Sequence, residues 1–106
     1  MIKWFKKEKE AVLVSNEGQE YILNPEIPNK IGRAHSEHIV LEDDLNVSRQ
    51  NSVITCDKQT KTYYIEDVGS KHGTRVNGEK ITEKKELKNG DIIEIGKYTK
   101  FTFEIR

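Results

Sequence analysis

The chain is short of several things, and each shortage removes a class of protein. Among 106 residues there is one cysteine, Cys56, so an internal disulfide and a multi-cysteine zinc site are both excluded. A chain of this kind suits a reducing intracellular compartment, cytoplasm or nucleus. Cys56 lies in the apolar run Val53-Ile54-Thr55-Cys56, where a free cysteine reads as a small buried hydrophobe rather than a nucleophile. The only two prolines, Pro25 and Pro28, stand three apart and bar a helix from that stretch. No long apolar segment marks a membrane span, and Met1-Ile2-Lys3-Trp4-Phe5-Lys6 turns charged too soon for a signal peptide. Net charge is missing too: 18 Lys and Arg balance 18 Asp and Glu. No global positive field therefore draws in nucleic acid, and any anion site must be local. A nucleophile elbow, a phosphate loop of the Gly-x-x-x-x-Gly-Lys-Ser/Thr type and metal-ligand spacing are all absent from the sequence, which points away from an enzyme, a metal site or a cofactor.

What the chain does have is charge and alternation. Charged and hydrophobic residues each make up 34% and the mean hydropathy is −0.78, a heavily charged surface around a thin core. The length allows one domain, taken as residues 1–106. Because the chain stops directly after its last strand, it is expected to be the N-terminal part of a longer protein, monomeric as a domain. The charge run from Lys6 to Glu10 reads as a solvated connection between two strands. Ala11–Val14 and Gln19–Leu23 flank the turn signal Asn16-Glu17-Gly18. Short strands are expected at Lys30–Gly32 and His38–Leu41, a hairpin of Ser52–Cys56 with Thr62–Asp67, and a closing hairpin of Ile92–Ile95 with Tyr98–Ile105. In the last of these Phe101, Phe103 and Ile105 share one face. Leu87-Lys88-Asn89-Gly90-Asp91 reads as a further turn. Glu42-Asp43-Asp44 reads as a solvated loop, or as a selector of basic residues in a partner. About ten short strands with turn residues between them and no helical period indicate an all-β sandwich or barrel.

The densest cluster of turn chemistry is Gly69-Ser70-Lys71-His72-Gly73-Thr74-Arg75-Val76-Asn77-Gly78, which holds three glycines, two cations and a histidine. Such a stretch asks for backbone at positive φ, and Asn77-Gly78 is the pair of a tight hairpin returning through Glu79-Lys80-Ile81. Two more loops carry cations: Gly32-Arg33 after one strand and Ser48-Arg49 before the next pair. In a two-sheet sandwich such loops gather at one end. Guanidinium, hydroxyl, ammonium, imidazole and glycine-flanked N–H groups together match a phosphate, which accepts several charge-assisted bonds at once.

Gly32-Arg33, Ser48-x-x-Asn51 and Gly69-Ser70-x-His72-Gly73-Thr74-x-Val76-Asn77-Gly78 resemble, in order and spacing, the motifs of forkhead-associated (FHA) domains. The likeness runs from about Ile2 to Ile105. It implies a two-sheet β-sandwich of about eleven short, mostly antiparallel strands that binds phosphothreonine-containing proteins or peptides through the loops at one end. By position it implies that Arg33 holds the phosphate, that Ser48 donates its hydroxyl to it, and that Arg49, Ser70, Lys71 and His72 add phosphate or peptide contacts. Asn51, Thr74 and Asn77 then fix loop geometry, while Gly32 and Gly73 let the backbone turn. Two positions depart from the family pattern. Asn51 stands where the family has a histidine that braces the loops from behind, and His72 stands where it has an asparagine that grips the peptide backbone. A degenerate member that meets its partner through a sheet face is the alternative. An oligonucleotide-binding barrel that stacks bases on Trp4, Tyr63, Tyr64 and Tyr98 is opposed by the zero net charge. A metal trio of His35, His38 and His72 lacks suitable spacing.

Overall fold

The computed structural model describes residues 9–106. The strand expected before Lys6 and most of the charge run after it lie outside the described residues. In chain order the strands are Ala11–Ser15 (β1), Glu20–Ile22 (β2), Asn29–Gly32 (β3), Ile39–Val40 (β4), Ser52–Asp57 (β5), Thr62–Asp67 (β6), Thr74–Val76 (β7), Glu79–Lys80 (β8), Lys85–Leu87 (β9), Ile92–Ile95 (β10) and Thr99–Ile105 (β11). Among the described residues they form a six-stranded sheet, β2-β1-β11-β10-β7-β8, and a five-stranded sheet, β4-β3-β5-β6-β9. Each of these pairings is antiparallel except that of β3 with β4. The described residues contain no helix, and hence none long and apolar enough to cross a membrane.

Period-two alternation is what assembles the two layers. In β11, Phe101 and Phe103 are buried between the sheets while Thr102 and Glu104 face away. β1 meets this strand in the register Leu13 to Phe103, and β10 in the register Ile93 to Phe101. From the other sheet Ile54 of β5 and Ile65 of β6 stand directly opposite each other and are fully buried. The Tyr63 and Phe103 rings, one from each sheet, lie 5.8 Å apart in a tilted contact, within the range where aromatic pairs add to area burial. The turns obey local chemistry. Asn77 (φ 52°) and Gly78 (φ 85°) both take positive φ, as a two-residue hairpin of the twist-matched kind requires.

Two features differ from the sequence reading. β9 was not anticipated, because Lys85-Glu86-Leu87 offers one apolar residue; it forms as an edge strand by pairing Tyr63 with Leu87. Asp44, expected in a solvated acidic loop, is buried. Its carboxylate accepts the Asn46 N–H and, from more than fifty residues away, the Tyr98 N–H at 3.0 Å and the Thr99 hydroxyl at 2.9 Å. Burial by itself would raise the Asp44 pKa; these bonds outweigh it and hold the carboxyl below its ordinary value. The acid thus pins the long β4–β5 loop to the β10–β11 turn.

Phe103 fills the centre of the core, so Phe103→Ala should lower unfolding free energy by about 3–5 kcal/mol. Tyr98→Ala, whose side chain is mostly exposed, should stay within about 0.5 kcal/mol of the parent. Urea unfolding followed by far-ultraviolet circular dichroism measures both.

Candidate functional site

The β3–β4, β4–β5 and β6–β7 loops meet at one end of the sandwich because their backbones are tied together directly. At the exit of β3, a Cβ on Gly32 would lie 2.2 Å from the Arg49 carbonyl oxygen. Only glycine lets the two loops approach so closely. Gly32 is therefore required by contact, and not by the backbone turn expected of it. Across this approach the Arg33 N–H donates to the Ser48 carbonyl at 3.0 Å and the Ala34 N–H to the Arg49 carbonyl at 3.1 Å. The Arg33 side chain is anchored as well, its Nε donating to the Val47 carbonyl at 3.0 Å. Its two Nη groups make no hydrogen bond with a described residue.

Ser48 joins the second loop to the third. Its Oγ accepts the Lys71 N–H at 2.9 Å, which leaves the hydroxyl proton available to an outside acceptor. Behind it Asn51 is 1% exposed and uses both ends of its amide. Oδ1 accepts the Ser48 N–H at 3.0 Å, and Nδ2 donates to Thr74 Oγ1 at 3.2 Å. Thr74 in turn gives its proton to Asp67 Oδ2 at 2.7 Å.

Asp67 is the residue the sequence reading missed. Besides Thr74, its carboxylate accepts the N–H groups of Gly69 and Ser70, both at 2.8 Å, and the Ser70 hydroxyl. Partial burial pushes its pKa up, but the bonds from Ser70, Thr74 and Gly69 win and the net shift is downward. A signal was available: Asp two residues before Gly and three before Ser is the sequence form of an Asx-type turn. Ser70, expected to line the site, is turned inward by this acid. Its one proton goes to Asp67 and its lone pair receives the Gly73 N–H at 2.9 Å, so it has no proton to offer an anion. Gly73 has φ +85°, and a Cβ there would lie 2.8 Å from Lys80 Cε. Asn77 closes the β7–β8 hairpin onto β10, accepting the Ile92 N–H and donating to Asp91, each at 2.9 Å.

The outward groups are Arg33 and Ser48, half-buried, with Arg49, Lys71 and His72 exposed. None of the Arg49, Lys71 or His72 side chains bonds a described residue. Arg33 and Arg49 line a shallow cleft of about 320 Å³ with Ala34, His35 and Glu42, and His35 Nε2 contacts Glu42 Oε2 at its rim. His38 Nδ1 receives the Lys30 N–H, so the three histidines serve separate purposes. Asp67 and Ser70 thus turn their acceptors inward while Arg33, Ser48, Arg49 and Lys71 offer donors outward, the polarity an oxyanion requires, with Glu42 alone among the described acids lining the cleft beside Arg33.

The family model for the FHA domain matches residues 29–96. The transcriptional regulatory protein EmbR of Mycobacterium tuberculosis is 43% identical over 76 residues, covering 72% of this chain and 19% of its own length. The chain thus spans about a fifth of that relative. The structure of EmbR in complex with a low-affinity phosphopeptide superposes with a TM-score of 0.79 at 37% identity, over 90% of this chain and 24% of that one. A structure from a study of phosphothreonine-dependent FHA domain interactions gives 0.81 at 27% identity, over 92% and 97%.

The Asp67 carboxyl titrates lower in the folded protein than in the unfolded chain. Its contribution to stability is therefore complete above the unfolded value near pH 4 and is lost as pH falls through the folded value. Asp67→Asn should be less stable than the parent at pH 7, with the gap narrowing steadily below about pH 4. Urea midpoints measured from pH 2.5 to 7 test this.

Proposed function

The chain belongs to the FHA domain family, and from that premise we propose that it is a phosphopeptide-binding module that captures phosphothreonine-containing partner proteins through the β3–β4, β4–β5 and β6–β7 loops. The family consists of recognition modules, and the donors here are suited to holding an anion rather than transforming one. One observation carries the reading. The unshared Nη groups of Arg33 and the free proton of Ser48 belong to loops joined at the Arg33–Ser48 backbone contact, so a tetrahedral dianion can take both at once.

In this reading Arg33 holds the phosphate by its guanidinium fork and Ser48 donates to a phosphate oxygen. The ammonium of Lys71 and the guanidinium of Arg49 add charge from either side. His72, whose ring nitrogens bond no described residue, makes one bond to the peptide backbone, where an amide would make two. Asn51, Asp67, Ser70, Thr74 and Asn77 hold the loops and do not meet the ligand. The partly buried, unpaired Cys56 suits a reducing compartment.

Titration calorimetry with a phosphothreonine peptide pool and its unphosphorylated counterpart should show binding of the first only. Arg33→Ala, which loses a charge-assisted contact of about 1.5–3 kcal/mol, should weaken it at least tenfold with an unchanged circular dichroism spectrum. Equal binding of both pools, or parental affinity in Arg33→Ala, would overturn the proposal.

A further inference from the structure

Strand register sets four charged side chains in a row across the outer face of the six-stranded sheet: Lys100, Glu94, Arg75 and Lys80, on β11, β10, β7 and β8. Glu94 Oε2 lies 3.9 Å from Lys100 Nζ. Arg75 and Lys80, directly opposite each other at the sheet edge, have no ion-pair partner among the described residues. Like charges facing across a strand pair destabilise it, and nothing in the core asks for them. Lys80 is also held in place. Its aliphatic stem occupies the space a Cβ on Gly73 would fill, with Cε 2.8 Å from that position, so its ammonium stands at the root of the β6–β7 loop. That loop carries Lys71 and His72, both exposed.

Among the described residues, Glu94 is the one carboxylate in this row, between Lys100 and Arg75, so the row holds three cations and one acid. Glu79 lies one residue out of step with Lys80 and so faces the other way, and Asp67 is turned inward onto its own loop. The opposite flank of the loops has the other sign: beside Arg33 the lining includes Glu42, which continues into a groove of about 390 Å³ with Asp43, Asp44 and Glu17. A chain without net charge thus presents its anion-binding loops between one basic and one acidic flank.

Resting on the phosphopeptide reading above, we infer that the β7–β8 edge, through Arg75 and Lys80, is a subsite for Asp and Glu residues flanking the phosphothreonine, so that the partner segment is acidic on one side of its phosphate. The probes are three phosphothreonine peptides of equal length, one with neutral flanks, one with three glutamates before the phosphothreonine and one with three after. Calorimetry should show one acidic peptide bound about three- to tenfold more tightly than the neutral one, the scale of one or two exposed ion pairs. Arg75→Gln/Lys80→Met, which keeps the Lys80 stem over Gly73, should abolish that gain and leave the affinity for the neutral peptide unchanged. Lys58→Met/Lys88→Met, which removes the same charge at the far end of the sandwich, should retain it. No preference for either acidic peptide, a gain that survives in the Arg75/Lys80 variant, or a gain lost equally in the distant variant would overturn the inference. If the folded protein binds none of the three peptides, the phosphopeptide reading itself falls and this inference with it.

Discussion

Thr74 has a single hydroxyl proton, and its direction decides the arrangement of everything above it. The residue is fully buried, and the proton goes to Asp67, an ionised carboxylate 2.7 Å away. The lone pairs of Thr74 can then only receive, and they receive Asn51 Nδ2. That fixes the orientation of the amide, whose oxygen must point at the Ser48 N–H. Ser48, held from below through its backbone, accepts the Lys71 N–H and keeps its own proton for an outside acceptor. One acid therefore sets the polarity of a relay through three chain segments. A buried network adds rigidity when its members are satisfied, and the two fully buried members here, Asn51 and Thr74, both are.

The same relay accounts for the two departures from the family pattern. At position 51 an amide supplies a donor and an acceptor on one short side chain, and both are in use here, so asparagine fills the bracing place without leaving a buried group unpaired. His72 stands outside the relay, exposed at the loop tip, where an exchange of side chain leaves the scaffold alone. The family match over residues 29–96 contains both positions, together with every residue of the relay and every outward donor.

Charge is distributed with the same economy. Equal numbers of acids and bases leave no net charge, yet two acids at the loops are spent on structure. Asp67 organises the β6–β7 loop and Asp44 ties the β4–β5 loop to a distant turn. What remains at the surface is Arg75 and Lys80 at the β7–β8 edge on one flank of the loops and Glu42 beside Arg33 on the other. A local field of this kind gives orientation and specificity more than raw affinity.

Composition and periodicity alone determined the all-β class, the sandwich layers and most strands, because a half-buried strand writes its inward face as every second residue. Turn chemistry did the same for the Asn77-Gly78 hairpin, whose positive φ angles only a few residues tolerate. The motif order located the three loops. Tertiary structure decided the rest, since the partners are remote in sequence or the role is one of contact. Gly32 is required by the carbonyl of Arg49, Asp44 by groups beyond residue 97, and β9 by the side of β6 that it covers. Ser70 shows the limit most clearly. Its place in the motif put it among the ligand-facing groups, but a hydroxyl has one proton, and the nearest strong acceptor in the folded loop is Asp67.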